Sequence, residues 1–208
     1  VSVAGLIAAA GMSSRMGRPK ALLPFGASGI PFVWQLAVTF VDAGLSPVIV
    51  TVPDGPIGDA IRATLKPLNI NPAAQVVCVV NDEPHLGFAG SVRTALVRAP
   101  LSTGLVLTPV DAPHATVGLV QSLLHALHTT TADAVVPVVG DKFGHPVAFR
   151  KTVWRELSAC GAHGGPRSVL DTLAARGTLA QVPWSDWRIL DDVNTADDYA
   201  RAFGIPLG

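Results

Sequence analysis

Five short runs of β-branched and aliphatic residues, at 3–8, 48–52, 75–80, 104–108 and 134–138, alternate along this chain with segments whose apolar residues recur at helical spacing. A buried strand shows a short continuous apolar run, whereas a helix packed on a core shows a stripe at i, i+3, i+4 and i+7. The clearest stripe is Val33, Leu36, Ala37, Phe40 and Val41 within 31–43, closed by Gly44 as a helix C-terminal residue. Further helices are expected at 57–65, 91–98 and 117–127, the last with Val117, Val120, Leu124 and Leu127 on one face. The order βαβαβαβα demands a largely parallel sheet with helices on both faces, because right-handed crossovers lay each helix back over the strands. In such a sheet ligands gather beyond the carboxyl ends of the strands.

Composition narrows this further. Hydrophobic residues make up 49% of the 208 and charged residues 14%, which suits a sheet covered on both sides and excludes a disordered chain. One domain over 1–208 is expected, with 140–190 as a lid or subdomain, because Gly144-His145-Pro146 and a Trp154-centred helix break the earlier rhythm. A helix opens at Gly165-Pro166, and the last starts at Thr195, with Asp198 placed to complete a capping box. Fifteen basic residues balance fifteen acidic ones, so no overall field draws in nucleic acid or an anionic membrane. Cys78 and Cys160 lie far apart with no metal-ligand spacing and are expected to be buried thiols. The longest apolar stretch, 3–12, holds ten residues, against the about twenty that a bilayer span needs. No basic leader precedes it, and a cytoplasmic location is expected.

Chemistry concentrates in Ala8-Ala9-Ala10-Gly11-Met12-Ser13-Ser14-Arg15-Met16-Gly17-Arg18-Pro19-Lys20, directly after the first strand. Small residues let a ligand approach the backbone, and consecutive N–H groups in a tight turn form an anion-binding concavity. Arg15, Arg18 and Lys20 add up to three positive charges, so any phosphate binding here is local. The spacing fits neither the GxxxxGK[ST] phosphate loop nor the GxGxxG dinucleotide pattern. On composition alone the segment reads equally well as a connecting loop with solvated cations.

The full pattern, A-A-G-x-S-x-R-M-G-x-x-K followed by Leu22-Leu23-Pro24-Phe25-Gly26, resembles the signature of nucleotidyltransferases that activate a phosphorylated acceptor with a nucleoside triphosphate. Within them it is most similar to the molybdenum cofactor cytidylyltransferase and molybdopterin guanylyltransferase group. Further stretches match in order. The segment from Gly87 to Leu96 resembles the one that recognises base and ribose, and Val110-Asp111-Ala112-Pro113 the one whose aspartate binds a divalent metal. Gly144-His145-Pro146-Val147 resembles the acceptor-side motif, and Asp192-Val193-Asn194-Thr195-Ala196-Asp197-Asp198 the closing D-x-[DN]-T-x-x-D. The resemblance implies a three-layer α/β/α fold with a mostly parallel, Rossmann-like sheet of the nucleotide-diphospho-sugar transferase type.

Under that resemblance, Ala9, Ala10, Gly11, Met12, Ser13, Ser14, Arg15, Lys20, Gly87, Gly90 and Ser91 hold the nucleotide. Arg15, Lys20 and Asp111 are the catalytic set: Arg15 faces the β- and γ-phosphates, Lys20 the α-phosphate, and Asp111 offers hard oxygen to Mg²⁺. Gly144, His145 and Asn194 are the acceptor side, and Asn194 is also the candidate second metal ligand or a helix cap. Ser91 could equally cap a helix. His145 is an acceptor contact rather than a base, since a phosphate nucleophile is already ionised. His125 and His128 are read as surface residues, and His85, His114 and His163 are left unassigned. Trp154, Trp184 and Trp187 are expected to pack in the core or lid.

The Ala-Ala-Gly opening and Gly-His-Pro segment favour CTP as donor and molybdopterin as acceptor, with a molybdoenzyme as downstream partner. Asp111-Ala112-Pro113, where relatives commonly have Asp-Gln-Pro, and Asp141-Lys142-Phe143 before Gly144 leave room for a changed acceptor, another cofactor precursor or a sugar phosphate, and GTP is the alternative donor. From a different class, a non-catalytic nucleotide- or cofactor-binding chaperone remains an alternative.

Overall fold

Strand β1 (Val3–Ala8) is buried along its whole length, and this decides its place at the centre of the sheet. It runs parallel to β2 (Val48–Val52) on one side and to β4 (Gly104–Pro109) on the other, and β2 pairs in parallel with β3 (Val76–Val80). The computed structural model describes residues 2–11, 16–70, 75–161 and 165–207. Between these strands lie α1 (Phe32–Asp42), α2 (Pro56–Leu65) and α3 (Phe88–Arg98), and α4 (Val117–Thr129) leads from β4 to β5 (Ala134–Val139).

Alternation along β1 builds two cores. Val3 and Ile7 face α1 and α4, packing with Val33, Leu36, Leu119 and Leu123. Ala4 and Leu6 face the other way, with Val92 of α3 and with Leu157 and Leu173. Those last two belong to α5 (Trp154–Ala159) and α6 (Gly165–Ala175). Helices on both faces of a sheet with doubly buried strands give the expected three layers.

The sheet departs from all-parallel after β5. The chain folds back through β6 (Lys142–Phe143) and β7 (Val147–Arg150), and β7 enters antiparallel between β4 and β5. Strand β8 (Leu179–Pro183) then pairs in parallel with β5. The 140–190 segment thus contributes strands to the same sheet. Helix α7 (Ala196–Phe203) closes the chain, with Thr195 and Asp198 forming the reciprocal capping box.

Several local expectations change. Helix α3 begins at Phe88, so Ser91 lies inside it and is buried, with no N-cap role. Cys160 is buried, but Cys78, on the edge strand β3, is only half-buried. Trp187 is exposed, in a 3₁₀ turn before α7, and does not pack in a core. Gly44 follows α1 at φ 89°, the left-handed conformation expected of a helix stop. His125 and His128 lie exposed on α4.

Candidate active site

A cleft of about 650 Å³ opens beyond the carboxyl ends of β1 and β4. Ala8, Ala9, Ala10 and Gly11 form its floor, as the position after the first strand requires. The Ala9 N–H, however, donates to the Thr51 carbonyl at 2.9 Å and extends the sheet, so this amide is not one that cradles an anion. Met12, Ser13, Ser14 and Arg15 lie outside the described residues, as does His163. Arg18 is exposed.

Lys20 is only 9% exposed, an unusual depth for an ammonium and one that requires partners. Its backbone is held in a short turn: Leu22 N–H donates to Pro19, Leu23 N–H donates to Lys20, and Ala21 and Leu23 are buried beside it. Its Nζ donates to Asp111 Oδ2 at 2.8 Å and to Asn194 Oδ1 at 2.7 Å. Three residues remote in sequence therefore meet around one positive charge.

Two contacts bring the C-terminal residues there. Fully buried Val193 donates its N–H to the Asp111 carbonyl at 2.8 Å. Tyr199 of α7, also buried, donates its hydroxyl to the Pro24 carbonyl at 2.9 Å and packs against Phe32 and Phe203. Since Thr195 caps α7, the Asn194 side chain is free of that duty and turns to Lys20.

Asp192 is the residue that the sequence reading passed over. It lines the cleft, and its carboxyl is pushed up to about 6, first by burial and then by the neighbouring Asp111 charge, with Lys20 opposing. Its position at the head of the closing motif was the available signal. Among the described residues no three His, Cys, Asp or Glu side chains cluster as a metal site.

On one wall Gly87, Phe88 and Ser91 line the cleft together with Asn81. Asn81 Oδ1 accepts from Glu83 N–H at 3.0 Å, and its Nδ2 reaches Ser91 Oγ at 3.5 Å. Gly90 is not in the cleft lining. A Cβ there would stand 2.3 Å from the Glu83 carbonyl and 2.9 Å from Asn81 Oδ1, so Gly90 lets the Asn81 loop close onto α3.

The opposite wall is a bulge. Between β6 and β7 the returning chain uses two more residues than β5, since Val138 pairs with Phe143 while Val135 pairs with Ala148. The extra length lies at Gly144, His145 and Pro146 and turns Gly144 and His145 into the cleft. Gly144 N–H donates to Pro137 and His145 N–H donates to Ile189, both across the fold. A Cβ on Gly144 would come within 2.7–2.8 Å of the Ile189 side chain and carbonyl. The His145 imidazole is held neutral, its pKa lowered to about 4 by burial against an opposing pull from Asp111, and its Nδ1 is buried without a hydrogen-bond partner among the described residues. A second group missed in the sequence, Arg167 at the start of α6, lines this wall with its guanidinium 4.8 Å over the Phe143 ring.

The chain is similar to known proteins along most of its length. A family model described as MobA-like NTP transferase domain matches residues 5–178. A probable molybdenum cofactor guanylyltransferase of Rhodopirellula baltica is 31% identical over 74% of this chain and 73% of its own length. Another, of Mycobacterium marinum, is 28% identical over 95% and 92% respectively. The crystal structure of Rv0371c from Mycobacterium tuberculosis H37Rv superposes with a TM-score of 0.80 at 27% identity, covering 99% of this chain and 100% of that one. Its complex with manganese gives a TM-score of 0.74 at 26% identity, covering 99% of each. The chain is therefore a nucleotidyltransferase and belongs to the MobA-like NTP transferase family.

Proposed function

We propose that the chain transfers GMP from GTP to the phosphate of molybdopterin, with Mg²⁺ as cofactor. The observation that carries the reading is the convergence of Asp111 and Asn194 oxygens on the Lys20 ammonium, in a cleft at the carboxyl ends of β1 and β4. Two hard oxygens already gathered around one positive charge are a donor set that suits a divalent cation. Asp111 and Asn194 would hold it, with Asp192 at hand. The manganese complex of Rv0371c supports a divalent metal in this fold.

In the reaction an acceptor phosphate oxygen bonds to the α-phosphorus while the α–β bridging bond breaks and pyrophosphate leaves. A bound Mg²⁺ supplies charge neutralisation at the phosphates. Lys20 tracks the α-phosphate charge, and Arg15 takes the β- and γ-phosphates. Asn81 and Ser91 face the base and ribose. Across the cleft, neutral His145 and cationic Arg167 hold the acceptor, and His145 needs to remove no proton because the nucleophile is already an anion.

GTP replaces CTP, which the Ala-Ala-Gly opening and the Gly-His-Pro segment favoured, because the curated relatives of Rhodopirellula and Mycobacterium marinum are named guanylyltransferases. The Gly144-His145-Pro146 bulge is what keeps CTP as the second reading. The deciding assay presents each of the four NTPs with Mg²⁺ and molybdopterin and follows pyrophosphate. Release with GTP supports the proposal, and release with CTP alone transfers it to the cytidylyl reaction. Tight NTP binding without release in any pairing would identify a cofactor-binding chaperone.

A further inference from the structure

Lys20 is more than a phosphate contact waiting for its ligand, because its ammonium already holds the two oxygens assigned to the metal. Nζ lies 2.8 Å from Asp111 Oδ2 and 2.7 Å from Asn194 Oδ1. A coordinated Mg²⁺ would need the same lone pairs at about 2.0–2.1 Å. Two cations cannot share that space, and Lys20 is too deeply buried for water to screen them from each other.

We propose that Lys20 is a competitor for the divalent cation: the metal binds firmly only after the ammonium has swung from Asp111 and Asn194 to a nucleotide phosphate. This rests on the metal-site part of the function proposed above and is independent of which base or acceptor is used. The pieces needed for such an exchange are present. The Lys20 backbone is fixed by the Pro19–Leu22 and Lys20–Leu23 hydrogen bonds and by buried Ala21 and Leu23, so the four-carbon side chain is the moving part. It lines the same cleft as Ala10 and Gly11. Asn194 brings an oxygen but no charge. Lys20 and Asp111 therefore neutralise one another, and a metal gains less by displacing the ammonium than it would from a pair of carboxylates. Metal and triphosphate then bind cooperatively, each raising the other's affinity by the same factor.

Two measurements on the whole protein test this. In the first, Lys20 is labelled with an amine-reactive acyl reagent and followed by peptide mass, with and without Mn²⁺ whose binding is monitored by electron paramagnetic resonance. Exchange predicts that, without nucleotide, saturating Mn²⁺ raises labelling of Lys20 by releasing it from Asp111 and Asn194, and that a nucleoside triphosphate added with Mn²⁺ lowers it again as the ammonium engages phosphate, whereas a charge effect of the metal alone gives the rise without the reversal. In the second, Lys20→Met should bind Mn²⁺ about tenfold tighter than the wild type without nucleotide, within the usual range of coupling between sites. Mn²⁺ binding with unaltered Lys20 labelling, or equal affinity in the two proteins, overturns the exchange and leaves the metal site standing. Failure of the wild type to bind Mn²⁺ with any of the four NTPs present removes the metal site and the exchange together.

Discussion

The Val193 amide donates to the Asp111 carbonyl at 2.8 Å, and this single main-chain bond joins the end of β4 to the approach of α7. Val193 itself is fully buried. The residues on either side of it, Asp192 and Asn194, are thereby set beside Asp111 and Lys20. The site is thus held by the same burial that docks the last helix.

Truncating this anchor should cost stability and geometry together. Val193→Ala removes two buried methyl groups, worth about 0.8 kcal/mol each before any cavity cost. A loss of about 2 kcal/mol is expected in urea denaturation, with nucleotide affinity falling as well because Asn194 and Asp192 lose their register. Unchanged affinity would show that α7 is positioned by Tyr199 alone.

Lys20→Ala should lower turnover by about 10²–10³, the usual effect of removing one preorganised charge contact. The fold should survive, since the backbone turn depends on Ala21 and Leu23 rather than on the ammonium. Pyrophosphate release together with circular dichroism checks both halves of the statement.

Gly144→Ala places a methyl within 2.8 Å of the Ile189 carbonyl, a main-chain atom that cannot turn aside. Overpacking of this kind costs about 1–3 kcal/mol. The bulge should shift, raising KM for the acceptor more than KM for the nucleotide, which bound-state titrations of each substrate would separate.

His114 gives the pH dependence of stability. It packs between Phe25 and Phe203, with both ring nitrogens buried and without a hydrogen-bond partner among the described residues. Burial first, and the Arg188 charge second, lower its pKa to about 4, with Asp186 opposing. Below about pH 6.5 the unfolded chain takes up a proton that the folded one refuses, so stability falls as pH drops from 6.5 towards 4. The decline between pH 7 and pH 5 should be about 2 kcal/mol larger in the wild type than in His114→Leu, read from urea midpoints.

The strands of the first half were legible because each is a short apolar run flanked by turn residues, and β1 and β2 fall where periodicity puts them. The Thr195–Asp198 capping box was legible for the same reason, being a contact between residues three apart. Ser91 shows the limit. A serine near a helix start reads as a cap, but Phe88 and Ala89 pack into the second core and carry α3 further back. The antiparallel β7 was hidden because a four-residue strand carries no mark of its partner or direction. Arg167 and Phe143 stand far enough apart in sequence that nothing local announces their stacking.

What the sequence by itself determined is local: which runs in the first half are strands, where the apolar stripes of the helices lie, and that small and cationic residues gather in the loop after β1. Tertiary structure alone decided that Lys20 would bond to Asp111, 91 residues away, and to Asn194, 174 residues away. Hydrogen-bonding preference and periodicity act over a few residues, whereas a meeting of distant polar groups is set by how the two cores pack and by which buried charges must then find partners.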